Sequence, residues 1–586
     1  MIEFEAPVID WAVLTPVLVV LAAGVVGVLI EAFVPDRGRR TTQIVLTLAA
    51  LTGSLVSVVL LWDRVTTEGY AFVVDGTFLL TPFTLGIQAV VAVLAVLGVL
   101  VIADRTRTGQ DAFAPTAAAV PGTTYEDAAR EAGLQQTEIY PLVLFATGGM
   151  LLFPATDNLI VLFIALEVLS LPLYVLCATA RRRRLLSQEA AFKYFLLGSF
   201  ASAIMLFGIA LVYGFAGTVS LEGALFVLVH PESQVLEMMP SLVIAGVLLI
   251  TVGLLFKIGA APFHTWTPDV YQGAPTPITG FMAACVKAAA VGALVRVVFT
   301  LAAGLDEPLR RDLEVGLWAV AILTMLIGTV AGAVQTDVKR MLAYSSIAHA
   351  GFLAVAFVGF SETGAGAVLF YVLAYGLATL GAFAVATLVR EQDADGVVLG
   401  EATHLSQWAG LARRSPWLAA AFSLFLLSMA GIPLTAGFIA KFGVFSAAVA
   451  AGAWPLAVLG VLASAVAVFF YVRLIVLMVL TPPTEESEHP EHVEDGAEPA
   501  AAGTSRADDA APADDAAPAD DAAPATGTLT AARATLARAS VVVVASRGPA
   551  TVAIVLCAVG VVLLGVVPQV ALDWAAQAAT FRPLQP

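Results

Sequence analysis

The chain has 586 residues, of which 59% are hydrophobic and only 13% charged, and its mean hydropathy is +0.91. That composition excludes a soluble globular domain and places the chain among polytopic membrane proteins. The formal net charge of −16 does not argue otherwise, because residues 481–528 alone hold thirteen acidic residues and one arginine.

Apolar runs of about 20 residues, enough to cross a bilayer, recur from one end to the other. In chain order the predicted spans cover 11–33, 41–62, 78–102, 139–155, 157–179, 189–215, 239–259, 276–300, 314–334, 341–361, 365–390, 415–446, 453–480 and 549–571. Short alternating strands, the mark of a β-barrel, are not the pattern here. The fold class is therefore an all-α polytopic membrane protein of about 14 transmembrane helices. Its start, Met1-Ile2-Glu3-Phe4-Glu5, is acidic and leads into a full-length span, so no cleaved signal peptide is expected.

Arginine and lysine placement sets the expected orientation. With the N-terminus outside, the cytoplasmic loops carry Arg37, Arg39, Arg40, Arg105, Arg107, Arg130, Arg181 to Arg184, Lys339, Arg340, Arg390, Arg413 and Arg414. The opposite face has Arg64, Arg310, Arg311 and Arg582. Both termini are expected to be external. The organisation then reads as a three-span region over 1–103, a cytoplasmic insert over 104–138, five-helix units over 139–300 and 314–480, an acidic linker over 481–548, and a last helix with an external tail over 549–586. The linker repeats Ala-Asp-Asp-Ala-Ala-Pro three times from Ala507 to Pro524, a composition that cannot bury a core and predicts disorder.

Five ionisable residues lie deep inside apolar segments: Glu167, Lys257, Lys287, His349 and Lys441. A charge near mid-bilayer costs about 2.5–3.5 kcal/mol on insertion scales, so such residues face a paired or wet interior and mark proton or ion pathways. They also recur. Glu167 and His349 are 182 residues apart, Lys257 and Lys441 184, and Lys287 and Arg473 186. Each pair is separated by five predicted helices, which reverses membrane direction, so spans 4–8 and 9–13 are expected to be inverted repeats. Lys257 is followed by Gly259 and Pro262, and Lys441 is preceded by Gly431, Pro433 and Gly437, so each repeat should place a lysine beside a broken helix. Arg296 and Arg473 sit near span ends, where snorkelling to the surface is expected. Cys177, Cys285 and Cys557 lie in separate spans, too few for a cysteine-only iron–sulfur site. No Gly-x-Gly-x-x-Gly follows a strand, so no dinucleotide or other cofactor is expected in this chain.

The segment Phe256-Lys-Ile-Gly-Ala-Ala-Pro-Phe-His264-Thr-Trp-Thr-Pro-Asp269-Val-Tyr-Gln-Gly-Ala-Pro275-Thr-Pro277 resembles the antiporter-like membrane subunits of respiratory complex I, the proton-translocating NADH–quinone oxidoreductase. Lys339-Arg-Met-Leu-Ala-Tyr-Ser-Ser-Ile-Ala-His349-Ala-Gly and Gly431-Ile-Pro-Leu-Thr-Ala-Gly-Phe-Ile-Ala-Lys441-Phe extend the resemblance over roughly 139–475, in order. The Asp269-Val-Tyr-Gln-Gly-Ala-Pro275 wording resembles the N branch rather than L or M, and Lys441 stands where M typically has glutamate. The resemblance implies a proton channel in which Glu167 pairs with Lys257, Lys287 relays, and Lys441 serves near the exit. His349 is either the relay between half-channels or a hydrogen-bonded core histidine. Lys193, in Glu189-Ala-Ala-Phe-Lys-Tyr-Phe, is either a family relay lysine or a helix-surface partner of Glu189. His264 and the tyrosines Tyr140, Tyr194, Tyr344 and Tyr375 are weaker candidates for lining a water path.

The resemblance further implies partners: the antiporter-like M subunit, small membrane subunits and the lipid of a bacterial inner membrane, but no nucleic acid. Quinone, NADH, FMN and iron–sulfur clusters are expected in partner subunits, so redox catalysis by this chain alone is not. The alternatives are a subunit of a multisubunit cation/proton antiporter, or the same subunit in a dehydrogenase with another electron donor.

Overall fold

The computed structural model describes residues 9–68, 70–73, 76–106, 109–115, 124–131, 136–230, 240–392, 398–482, 540–543 and 548–580. Helix dominates because in lipid every backbone group must find its partner within its own segment. Eleven helices are long and apolar enough to cross a bilayer. These are span 1 (Trp11–Phe33), span 2 (Asp36–Glu68), span 3 (Pro82–Ile102), span 5 (Leu159–Cys177), span 6 (Arg184–Ala216), the first part of span 7 (Pro240–Ile258), span 8 (Thr276–Gly304), span 9 (Glu307–Ala333), span 11 (Glu362–Leu388), span 13 (Trp454–Val479) and span 14 (Pro549–Val566). Three more crossings are shorter or more polar: span 4 (Ile139–Leu152), span 10 (Val338–Val355), and span 12, built from Pro416–Ala430 and Ala436–Ala450. The described residues thus make the fourteen crossings expected, with spans 8 and 11 almost wholly inside the bundle.

Contacts between loops sort them into two faces. On one, Arg40 donates to Ala103 O, Phe113 bridges to Ala180, Gln272 bonds Asp337, Asp337 bridges to His404, and Arg182 pairs with Glu391. On the other, Phe78 bridges to Thr156, Asn158 bridges to Ser220, Arg310 donates to Gly359 O, and Trp62 stacks on Trp574 near the C-terminus. Arg64 pairs with Asp10, which brings the N-terminus to this second face too. Both ends of the described chain, at Asp10 and near Trp574, therefore lie opposite the arginine-rich face.

Two small sheets cap the bundle. Strands β1 (Ala71–Val73) and β2 (Phe78–Leu80) form an antiparallel pair on the terminal face. On the arginine-rich face β3 (Val389–Gln392) lies between β4 (Val398–Glu401) and β5 (Ser540–Val543). β5 falls inside the predicted linker, so its described stretch is pinned to the loop between spans 11 and 12. The acidic repeats themselves lie outside the described residues, and of the 104–138 insert the described part includes a short helix, Thr124–Glu131.

The repeats show in the packing. Gly149 of span 4 lies so close to span 5 that a Cβ there would stand 2.5 Å from Leu169 N, and Gly328 of span 9 lies 2.4 Å from Ala348 N of span 10 in the same way. Asn158 caps span 5 and Asp337 caps span 10. All three correspondences are 179 residues apart. The structural partner of Glu167 is therefore Ser346, and that of His349 is Ser170. This corrects the 182-residue spacing by one helical turn, a slip invisible in sequence because residues three apart are neighbours on a helix. Lys257 and Lys441 keep their 184-residue relation, as do Ser220 and His404, which close the equivalent bridges.

Both expected interruptions are present. Span 7 stops at Gly259, which has φ +79°, and resumes at Trp266, whose indole donates to Phe256 O at 2.9 Å across the break. Span 12 stops at Gly431, with φ +82°, and resumes at Ala436. Past that break Gly437 packs onto the first half-helix, where a Cβ would lie 1.8 Å from Ser428 O, whereas one on Gly443 would meet nothing closer than 3.7 Å. Gly437→Ala should therefore lower stability by about 1–3 kcal/mol through overpacking, and Gly443→Ala should not. Thermal melting of the purified membrane protein checks this, and equal melting of the two variants would show that the halves are not wedged together at Gly437.

Candidate functional site

The three deep lysines share one environment. Lys257 is 3% exposed in the last turn of the first half of span 7, and its Nζ donates to Ser170 Oγ (2.8 Å) and Tyr194 OH (2.9 Å). It lies over the ring faces of Tyr194 and Tyr174, 4.8 and 5.6 Å from their centroids. Lys287 donates to Ser346 Oγ (2.7 Å) and to Ser346 O, over the ring of Tyr375 at 5.1 Å. Lys441 donates to Ser464 Oγ (2.7 Å) and to Ala430 O (3.0 Å), over Phe352 at 4.7 Å. Among the described residues no carboxylate lies within 4.0 Å of any of these amines.

The breaks explain part of this. Lys257 lies at the C-terminal end of one half-helix, and Lys441 reaches back to Ala430, the last residue of another. Helix C-termini carry partial negative charge from unpaired carbonyls, which favours a cation within the last turn. Gly431 also clears the way for Lys441, whose Cδ would lie 2.9 Å from a Cβ there. Lys287 follows a π-helical turn, Met282–Val286, and a second one at Val295–Phe299 carries Arg296. Such turns often mark functional positions in helices.

His349 lies between Lys287 and Lys441. Its Nδ1 is 2.7 Å from Tyr371 OH and its Nε2 3.4 Å from Tyr471 OH, and Tyr471 OH also bonds Ser345 Oγ. Both ring nitrogens thus face a hydroxyl, so the imidazole has a partner as donor and as acceptor. A gap of about 10 Å³ beside it, lined by Tyr371, Tyr375, Ser428 and Met429, leads toward Ala440 next to Lys441. From Tyr271 OH, 3.5 Å from Ser346 Oγ, the polar groups run through Lys287 and His349 toward Lys441.

Glu167 does not contact Lys257. It stands one turn before Ser170 on a partly exposed stripe of span 5 with Ile160, Ile164, Leu171 and Val175, and makes no ion pair or hydrogen bond among the described residues. Lys193 is 39% exposed and bonds both Glu189 (2.5 Å) and Asp269 (2.8 Å), so the helix-surface pair is present as part of a larger cluster. Asp269 also takes Arg340 at 2.7 Å, and this cluster joins spans 6, 7 and 10. His264 is half-buried within the break of span 7. Tyr194 and Tyr375 face lysines, whereas Tyr140 and Tyr344 touch none of them. Among the described residues no His, Cys, Asp and Glu side chains cluster as metal ligands.

Sequence reasoning missed Ser170, Ser346, Ser464, Tyr271, Tyr371 and Tyr471. Ser170 and Ser346 were within reach, each standing one helical turn from a singled-out residue, Glu167 and His349. The snorkelling expectation for Arg296 is overturned. Its side chain is 1% exposed and pairs with Asp157 (3.2 Å) and Glu222 (3.1 Å), because the loops before span 5 and after span 6 fold over the end of span 8. Burial holds the Asp157 carboxyl above its ordinary range, and the Arg296 charge offsets that only in part. Arg473, by contrast, is exposed and reaches Ala333 O, as expected of a snorkelling residue.

Residues 156–467, more than half of the chain, match the family model described as NADH:quinone oxidoreductase/Mrp antiporter, TM. NADH-quinone oxidoreductase subunit N of Beutenbergia cavernae is 57% identical over 469 residues, 79% of this chain and 87% of that one. The chain belongs to the subunit N family of NADH-quinone oxidoreductases. A chain of respiratory complex I from Thermus thermophilus superposes with a TM-score of 0.68 at 30% identity, covering 96% of this chain and 99% of that one. A chain of the Mrp complex from Dietzia sp. DQ12-45-1b gives 0.70 at 21% identity, over 96% and 97%, and so shares the fold. The subunit N family is thus a family of multi-pass membrane subunits that work inside larger complexes.

Arg296→Met would leave Asp157, itself 2% exposed, buried beside Glu222 with no counter-charge. The expected loss is roughly 3–5 kcal/mol, partly restored by adding Asp157→Asn, while Arg473→Met should cost little. Melting temperatures of the single and double variants read this directly, and an Arg296→Met protein as stable as the parent would show that the triad is not structural.

Proposed function

We propose that this chain conducts protons across a bacterial inner membrane as subunit N of an NADH–quinone oxidoreductase, driven by quinone reduction elsewhere in the complex. The carrying observation is the succession of Lys257, Lys287 and Lys441, each buried on hydroxyl or carbonyl partners and a ring face, with no carboxylate within 4.0 Å among the described residues. A buried ion without a counter-charge costs several kcal/mol, so protons arriving at these amines are passed on rather than stored. Glu167 initiates, Lys257 gates, Lys287 relays, His349 links, and Lys441 delivers. The Lys193 cluster steadies the second half of span 7.

In this reading the sequence domains keep their roles: three flanking spans, two five-helix units and a last helix that braces span 12. Gly565 of that helix lies against Thr435 in the break. The outward-facing Glu167 stripe is covered by a neighbouring membrane subunit, and the antiporter-like M subunit is another neighbour. NADH, flavin, iron–sulfur clusters and quinone reside in partner subunits. The cation/proton antiporter reading has the shared family model and fold behind it, but the 57% identity is to a subunit N, against 21% to the Mrp chain.

The arginine-rich face is assigned to the cytoplasm and both termini to the outside. A cysteine placed at position 183 should resist a membrane-impermeant thiol reagent in intact cells and react in inverted vesicles, and the opposite pattern would reverse the orientation.

Lys257→Ala and Lys441→Ala should assemble yet lose about tenfold or more of NADH-driven quinone reduction, the scale of a lost proton-transfer group. Acidification of inverted vesicles should fall in parallel because redox and translocation are coupled. Arg473→Ala should be close to normal. Native gels control for assembly, and full turnover in both lysine variants would refute the channel.

A further inference from the structure

On the arginine-rich face a polar cavity of about 30 Å³ opens beneath the β3–β4 hairpin, lined among others by Arg181, Arg182, Arg183, Gln272, Lys339 and Glu401. It is roomy enough for one or two waters with several polar partners each. The two repeats meet there, since the 5–6 loop and the end of span 7 form one wall and span 10 with the hairpin the other. Lys339 lies at the base, buried, its Nζ donating to Ala274 O at 2.7 Å. Glu401 stands half-buried at the rim. The two face one another across the space without a direct ion pair. Arg182 and Arg183 are both engaged by Glu391 outside the cavity, which leaves Glu401 as the carboxylate on its wall.

We propose that this cavity is the mouth through which protons reach Lys287, with Glu401 collecting them at the rim and Lys339 receiving them at the base. The inference rests on the proton-conducting role proposed above and names the uptake residues of that pathway. Burial works to raise the Glu401 pKa, but the Lys339 and Arg390 charges outweigh it and hold the group below the ordinary carboxylate range. Glu401 is therefore an anion that attracts hydronium into a rim otherwise rich in arginine. Further in, Lys339, Ser346 and His349 stand at i, i+7 and i+10 of span 10, on one helix face, and Ser346 holds Lys287. Only a proton moves. Hydronium gives it to the carboxylate and leaves as water; once the Lys339 ammonium has passed its own proton inward, cavity water hands the new one to the amine left behind, and Glu401 returns to its anion. Lys339 then releases it inward toward Lys287.

The intact complex in inverted vesicles tests this with Glu401→Gln, Glu401→Asp, Ala180→Leu and Lys287→Ala, each assayed for NADH-driven quinone reduction per assembled complex. Ala180 is on the cavity wall, so leucine there fills the space without changing any charge. Glu401→Gln and Ala180→Leu should slow turnover several-fold, and Glu401→Asp should keep most of it. If Lys287→Ala is impaired while Glu401→Gln and Ala180→Leu run at the parent rate, the mouth lies elsewhere and the channel stands. If Lys287→Ala itself runs normally, the channel reading fails and this one with it. Should the filled or neutralised cavity prevent assembly, Thr403→Cys on the same wall gives a second measure. Modifying it from the cytoplasmic side with a small thiol reagent should slow turnover in an already assembled complex, and unchanged turnover after complete modification would overturn the proposal.

Discussion

A lysine amine held in the middle of a membrane bundle without a carboxylate is the constraint around which the rest is arranged. Hydroxyls, carbonyls and ring faces partner such an amine but do not neutralise it. Each of the three lysines meets that condition by the same means: one serine, an aromatic face, and in two cases the carbonyl end of an interrupted helix. The interruptions follow from it. An unbroken helix has no free carbonyl at mid-membrane, and a broken one exposes several. Gly259 and Gly431 supply the left-handed turns that end the half-helices, and the freed groups are tolerated because they are buried in protein.

Breaks weaken a helix, and the ends of the molecule compensate. On the terminal face the Asp157–Arg296–Glu222 triad fastens the loops before span 5 and after span 6 to span 8, nine residues beyond Lys287. On the arginine-rich face Asp269 takes Lys193 and Arg340, Gln272 bonds Asp337, and Lys339 donates to Ala274 O, so the second half of span 7 is held by both repeats. The Asp269-Val-Tyr-Gln-Gly-Ala-Pro275 motif is thereby explained residue by residue. Tyr271 reaches Ser346, and Gly273 lets Leu186 O approach to 2.5 Å of where a Cβ would be. Ion pairs are concentrated at the two surfaces, and the polar line between them is held by hydrogen bonds without ion pairs, which can exchange.

Much of this was legible in the chain. Apolar runs gave all fourteen crossings, and glycine with proline beside each lysine located both breaks. Loop arginines gather on one face of the bundle, with the described ends of the chain on the other, as their placement in the sequence led one to expect. What escaped notice had weak signals. Serines and tyrosines in apolar helices look like tolerated polar residues until a lysine is seen to point at them. The offset of the repeats was misjudged by a turn because positions three and four apart share a face. Arg296 was misread because proximity to a span end is visible in sequence, whereas the loops that fold over it are not. The outward position of Glu167 depended on which face of span 5 the bundle covers, a property of packing that a short apolar helix with little periodicity does not declare.

The most direct test is a map of the assembled complex in lipid at a resolution that shows ordered water. Water is expected to join Lys287, His349 and Lys441, with none of the three amines within ion-pair distance of a carboxylate of this chain in at least one state. Dry apolar packing between His349 and Lys441 in every state, or a fixed carboxylate on each lysine, would contradict proton conduction along this line.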